Sequence, residues 1–124
     1  MATVLIVDDE PLIRWAVREI LEEAGYSVVE AGSAAEAMVR IGEGGGHPVA
    51  VALLDLRLPD SDDLSLLRRV RGEAPACRVI VMTAHGTPEV LRDAIMQGAF
   101  GTISKPFDLS NIVGLVQAAE RAAA

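Results

Sequence analysis

Five side chains in this 124-residue chain are of the types from which metal and phosphoryl chemistry is built: Asp8, Asp9, Asp55, Thr83 and Lys105. Each stands at or just past the end of a short strand-like run. Val4-Leu5-Ile6-Val7 ends in Asp8-Asp9-Glu10, Val49-Ala50-Val51-Ala52-Leu53-Leu54 ends in Asp55, Val79-Ile80-Val81-Met82 ends in Thr83, and Phe100-Gly101-Thr102-Ile103-Ser104 runs into Lys105-Pro106. Carboxylates brought within a few ångströms of one another repel and require a cation. Hard oxygen donors with incomplete protein coordination favour Mg²⁺, with Mn²⁺ as a substitute, and such an ion commonly bridges carboxylate and phosphoryl oxygens. An aspartate can attack a phosphoryl donor to form an acyl phosphate, provided metal, ammonium and hydroxyl donors meet the charge on the transferring oxygens. Asp55 stands alone on its run and is the candidate nucleophile, whereas Asp8 and Asp9 form a pair suited to metal. Lys105 would neutralise one phosphoryl oxygen and Thr83 would donate a hydrogen bond to another.

These groups act together only if the chain delivers them to one place. The runs ending in Asp8 and Asp55 read as strands buried on both faces of a parallel sheet, because they are continuous rather than alternating and rich in Val, Leu and Ile, and the runs before Thr83 and Lys105 read as two more strands. Tyr26-Ser27-Val28-Val29-Glu30-Ala31 reads as a further strand, nearer an edge because its pattern is less purely apolar. Helices are expected between the strands. Pro11 opens the first, with Leu12, Ile13, Ala16, Val17, Ile20, Leu21 and Ala24 as its apolar stripe and Gly25 as its stop. Ser33 and Glu36 form a capping box for the second, which reaches about Ile41. A third carries Leu64, Leu66, Leu67 and Val70 and is closed by Gly72. The fourth starts with Thr87 as N-cap and Pro88 at its first position and ends before Gly98. The last follows Phe107 and Asp108 and buries Leu109, Ile112, Val113, Val116 and Ala119. Five alternations of strand and helix predict a doubly wound α/β sheet, with every strand's carboxyl end on one edge, where open α/β sheets bind ligands.

The rest of the sequence narrows the function classes. A formal net charge of −7 argues against the chain gripping nucleic acid by itself. No apolar run is long enough to cross a bilayer, Met1-Ala2-Thr3-Val4 carries no signal-like segment, and the single Cys77 excludes an internal disulfide. A cytoplasmic protein with one domain over residues 1–124 is expected. The Gly44-Gly45-Gly46 run follows a helix and enters a strand, the reverse of a phosphate-cradling loop, and reads as a connection, with His47 exposed in it. Trp15 lies off the apolar stripe of its helix, either as a partly exposed packing residue or as a partner contact.

Four motifs, Val7-Asp8-Asp9-Glu10, Leu54-Asp55-Leu56-Arg57-Leu58-Pro59, Met82-Thr83-Ala84 and Ser104-Lys105-Pro106-Phe107, make the chain resemble the receiver domains of bacterial two-component response regulators. Ile13-Arg14-Trp15, Thr83-Ala84-His85-Gly86 and Gly98-Ala99-Phe100 resemble most the nitrogen-regulation class of sigma-54 activators. The resemblance spans essentially the whole chain. It implies a flavodoxin-like fold with five parallel strands in the order 2-1-3-4-5, five helices and a cis Lys105-Pro106 bond. It implies a phosphorylation-dependent switch in transcription regulation, charged on Asp55 by a sensor histidine kinase and catalysing only its own phosphorylation and slow dephosphorylation. Asp9 and Asp55 would hold Mg²⁺ directly, Asp8 largely through water, and the backbone carbonyl of Arg57 would complete the protein ligands. Thr83 would move toward the phosphoryl group and bias the fourth helix and fifth strand, where output partners dock and a homodimer through helix 4, strand 5 and helix 5 would form.

Two residues depart from the family pattern. Thr102 replaces the aromatic switch residue, and Asp63 stands where glycine is usual. Arg57 and His85 occupy positions that adjust the lifetime of the acyl phosphate. Two other classes compete: a receiver-like interaction module that takes no phosphate, and a Mg²⁺-dependent phosphatase with an Asp nucleophile. The phosphatase needs a second acid two residues after the nucleophile, where Arg57 stands, and a cap that the chain lacks. The end at Ala122-Ala123-Ala124 favours a domain cut from a longer regulator over a stand-alone one.

Overall fold

A computed structural model describes residues 2–42, 48–84, 86–106 and 108–122. The expectations for the triglycine run, His47, His85, Phe107 and the last two alanines fall outside the described residues. Strands and helices alternate as β1 (Thr3–Val7), α1 (Pro11–Glu23), β2 (Ser27–Ala31), α2 (Ala34–Gly42), β3 (Val49–Asp55), α3 (Ser65–Glu73), β4 (Arg78–Thr83), α4 (Pro88–Met96), β5 (Gly101–Ser104) and α5 (Leu109–Ala122). All strand pairs are parallel, in the order β2-β1-β3-β4-β5. The run ending in Asp55 is thus the central strand, and β2 is an edge, as its mixed pattern predicts.

The continuous apolar strands supply two cores, because successive side chains point to opposite faces. Leu5, Val7, Ala52, Leu54, Val79 and Val81 face one layer with buried residues of α2, α3 and α4. Val4, Ile6, Val51, Leu53, Ile80 and Met82 face the other, with Val17 and Leu21 of α1 and Ile112, Val116 and Ala119 of α5. The same alternation, carried to the strand ends, turns Asp8 and Asp55 toward the α1/α5 side. Burial on both faces fixes the register of β1, β3 and β4, since a slip of one residue would exchange the two cores.

Three details differ from the sequence reading. Leu12 is 75% exposed; at about 100° per residue it lies roughly 140–180° round the helix from Val17 and Leu21, so it is not on the buried stripe. It shares the outer face with Trp15, which is 59% exposed. Ala24 is exposed at the C-cap of α1, ahead of Gly25, whose φ of 99° ends the helix. Gly72 lies inside α3 rather than closing it, and the stop falls at Ala74, with φ −134° and ψ 74°. Pro75 is the cause, since its ring disfavours a helical conformation for the residue before it.

Candidate phosphoryl and metal site

The carboxyl edge of the sheet gathers Asp8, Asp55, Thr83 and Lys105. Asp8 is fully buried and Asp55 is 7% exposed, two acids that water scarcely reaches. Lys105 lies between them. It leaves the end of β5, crosses the end of β4, and places Nζ 2.6 Å from Asp8 Oδ2 and 3.1 Å from Asp55 Oδ2. The exposed Glu10 has an oxygen 3.7 Å from the same ammonium. Burial pulls the Lys105 pKa down, but hydrogen bonds to Asp8 and Asp55 and the charge of both carboxylates outweigh it, so the value ends above that of an ordinary lysine.

Local backbone bonds hold each group. Asp8 continues the β1 ladder by donating its N–H to Ala31 O at 3.1 Å, and its Oδ1 accepts the Glu10 N–H at 3.0 Å. Asp55 Oδ1 accepts the Arg57 N–H at 3.0 Å. The Lys105 N–H donates to Thr83 O at 2.8 Å, and the Lys105–Pro106 peptide is cis. Thr83 is 3% exposed and ends β4 one residue past Met82, the partner of Asp55 across the ladder. Gly86 approaches it closely: a Cβ there would lie 2.6 Å from the Thr83 methyl and 2.8 Å from Leu91 Cδ2, so only glycine fits without displacement.

The donor set suits a hard divalent cation. Carboxylate oxygens of Asp8, Asp9 and Glu10 lie within 4.8 Å of one another, all are oxygen donors, and Asp9 and Glu10 are open to water. Partial coordination completed by water is the arrangement Mg²⁺ accepts and softer metals do not require. Glu10 is the member of this group that the sequence reading left without a role, although its place beside Asp8-Asp9 was visible. Asp55 joins the acids through Lys105.

Two other acids of the β3–α3 loop, Asp60 and Asp63, bond backbone amides away from Asp55. Asp60 accepts the N–H groups of Ala34 at 2.7 Å and Ala35 at 2.9 Å, so it caps α2 from outside that helix. Those amide bonds lower its pKa. Ser33 supplies the other half of the cap by accepting the Glu36 N–H on Oγ at 3.1 Å. Asp63 accepts the N–H of Ser65 at 2.8 Å. No described residue other than glycine has a positive φ, so Asp63 keeps an ordinary backbone where the family pattern favours glycine. Thr102 is half-buried on β5 opposite Val81. On α4, Ile95 and Met96 are 49% and 78% exposed.

A family model described as the response regulator receiver domain matches residues 4–117. The DNA-binding transcriptional regulator NtrC of Escherichia coli K12 is 35% identical over 116 residues, covering 94% of this chain and 24% of that protein. The transcriptional regulatory protein PhoP of the same strain is 33% identical over 118 residues, covering 95% of this chain and 52% of that protein. The chain therefore spans about a quarter of the NtrC relatives and half of PhoP. Among solved structures, the beryllofluoride-activated NtrC4 receiver domain dimer superposes with a TM-score of 0.92 at 32% identity, and each chain is fully covered. A CheY-like receiver domain protein from Methanospirillum hungatei JF-1 gives 0.91 at 27% identity, over 99% of this chain and 96% of that one. Among the described residues, no helix is long and apolar enough to cross a membrane.

Proposed function

Because this chain belongs to the response regulator receiver domain family and is most like the NtrC class, we propose that it is a switch charged by phosphorylation of Asp55. The observation that carries this reading is the buried Asp8–Lys105–Asp55 bridge, since an ammonium held by two acids from different strands is placed to meet a third anion there. An Asp55 carboxylate oxygen attacks the phosphorus of a phosphohistidine on a sensor kinase. The P–N bond breaks and its electron pair goes to the imidazole nitrogen. Lys105 holds one phosphoryl oxygen and Thr83 donates its hydroxyl to another. Asp8, Asp9 and Asp55, with the carbonyl of Arg57, would hold Mg²⁺ or Mn²⁺, which supplies positive charge to the remaining phosphoryl oxygens. The domain is a signalling unit that acts on its own phosphoryl group. Residues 1–124 act as one receiver, in a cytoplasmic setting, controlling an output domain or partner in transcription.

The switch surface follows from the backbone around Thr83. Movement of its hydroxyl toward a phosphoryl group draws on the Gly86 loop packed against its methyl and, through that loop, on α4. The exposed Ile95 and Met96 on that helix are available to a partner or a second copy. Thr102 cannot provide an aromatic side chain that turns between two states, so the displacement travels by the loop rather than by a ring. That the NtrC4 receiver domain was solved as an activated dimer supports a second copy as a partner, and the exposed Ile95 and Met96 make α4 one side of the α4, β5 and α5 seam proposed for it.

Incubation with Mg²⁺ and acetyl phosphate, followed by intact mass measurement, tests the proposal. The parent gains one phosphoryl group and Asp55→Asn gains none. A parent that gains nothing with Mg²⁺ bound is an interaction module. Multiple turnover of a small phosphate ester would make it a phosphatase.

A further inference from the structure

The acid loop is anchored from behind by a side chain to which neither the family motifs nor the phosphoryl chemistry gives a role. Arg14, in the second turn of α1, turns back under the loop and donates from Nη1 to the backbone carbonyl of Asp8 at 2.5 Å. Its Nε donates to Glu30 Oε1 on β2 at 3.1 Å. One planar guanidinium thus spans the edge strand and the residue that carries the buried carboxylate. Glu30 is itself held by a second arginine, with Arg18 Nη1 2.7 Å from Oε2. Burial would raise the Glu30 pKa, yet its hydrogen bonds to Arg18 and Arg14 more than offset this, and it stays ionised below the usual range.

A glycine records the same requirement. The backbone of Gly32 is not in the left-handed region, so conformational freedom does not explain it. A Cβ there would lie 3.2 Å from Arg14 Nη1. What the missing side chain provides is room for the guanidinium. The Asp8 main chain is therefore tied to β2 twice, through its N–H to Ala31 O and through its carbonyl to the Arg14–Glu30 pair. The two ties fix the direction in which the Asp8 carboxylate, and the Asp9 that follows, leave the sheet.

We infer that Arg14, oriented by Glu30, is a positioning residue that presets the Asp8-Asp9 carboxylates for a divalent cation. The inference rests on the proposed phosphorylation switch but concerns metal affinity, which can be read separately. Partners of ligating groups typically change metal affinity by about 10–100-fold when removed, because the ligand must then be ordered on binding. Arg14 suits the task for its fork: a lysine ammonium is a point charge that cannot serve both acceptors across this span in one rigid geometry.

The test measures Mn²⁺ binding by loss of the free-ion electron paramagnetic resonance signal, with Mg²⁺ as competitor. A parent that binds neither ion, or binds them and takes no phosphate on Asp55, overturns the switch reading before any variant is made. With an active parent, Arg14→Met is expected to weaken binding about 10-fold or more, Arg14→Lys nearly as much, and Arg18→Met, which leaves the fork intact, by less than about 2-fold. Phosphorylation of Arg14→Met by acetyl phosphate is expected to be slow at limiting Mg²⁺ and to regain the parental rate at saturating Mg²⁺. Parental affinity in folded Arg14→Met or in Arg14→Lys overturns the inference, as does a slow rate that persists at saturation or an equal loss in Arg18→Met. If Arg14→Met does not fold, Glu30→Gln decides: weaker Mn²⁺ binding than in the parent is the expected result, and unchanged affinity overturns the inference.

Discussion

Replacing Lys105 by Met removes the ammonium while keeping an unbranched apolar stem, and it isolates the central electrostatic feature of the site. The parent holds Nζ within 2.6 and 3.1 Å of two carboxylates whose side chains are 0% and 7% exposed. Removing one partner of a buried ion pair costs about 3–5 kcal/mol, because a charge remains in a medium that solvates it poorly. Two features place this case at the lower end. Asp8 Oδ1 keeps the Glu10 amide and Asp55 Oδ1 keeps the Arg57 amide, and Glu10 is too exposed for its 3.7 Å contact to add much. The expected loss is about 3 kcal/mol, a large part of the roughly 5–15 kcal/mol that holds a domain together. Urea unfolding in EDTA, followed by circular dichroism, gives the number. Repeating it with Mg²⁺ gives a second reading: with the ammonium gone, the cation is the remaining counter-charge, so it should stabilise the variant more than the parent. At 100 times its dissociation constant a ligand adds about 2.7 kcal/mol. A loss below about 1 kcal/mol in EDTA would show that the two acids do not depend on Lys105 and would refute the reasoning.

Other predictions address the groups around the site. Tyr26 is the only tyrosine, and burial, then the hydrogen bond and charge of Glu120, push its pKa up to about 12. Absorbance at 295 nm should show that late titration in the folded protein and an earlier one in Glu120→Gln. Because the folded value lies above the ordinary value of 10, the associated stability is complete below pH 10 and is lost as pH rises toward 12, by at most about 3 kcal/mol. Gly86→Ala drives a methyl against Thr83 and Leu91 and should cost about 1–3 kcal/mol in urea unfolding, with a shifted α4 amide spectrum; an unchanged spectrum would show that the loop does not couple Thr83 to α4. Asp60→Ala should speed hydrogen exchange at Ala34 and Ala35, whose amides it accepts, while exchange in α5 stays unchanged.

Both the strand ends and their shared edge were legible in the sequence, because buried parallel strands are written as continuous apolar runs and each run stops at a polar side chain. Helix starts were equally legible where a side chain caps its own helix, as at Thr87, which accepts the Val90 N–H. Elsewhere, local signals misled. Gly72 reads as a stop, yet a glycine in a helix costs only about 1 kcal/mol, and the proline at position 75 decides the end. Leu12 reads as core because it is apolar and near the stripe, while its angle round the helix puts it outside.

What the sequence determined by itself was the set of polar groups at the strand ends and the edge that collects them, since strand alternation and the crossover rule need no more than residue order. What the tertiary structure decided was their partnership. That Lys105 lies between Asp8 and Asp55, residues 97 and 50 positions away, depends on β4 separating β3 from β5 and on a side chain long enough to cross it. That Arg14 braces Asp8 through Glu30, and that Asp60 caps α2 from another loop, depends likewise on strand order. Such contacts leave no periodic trace, because the groups that make them come from separate elements and meet only when the sheet is assembled.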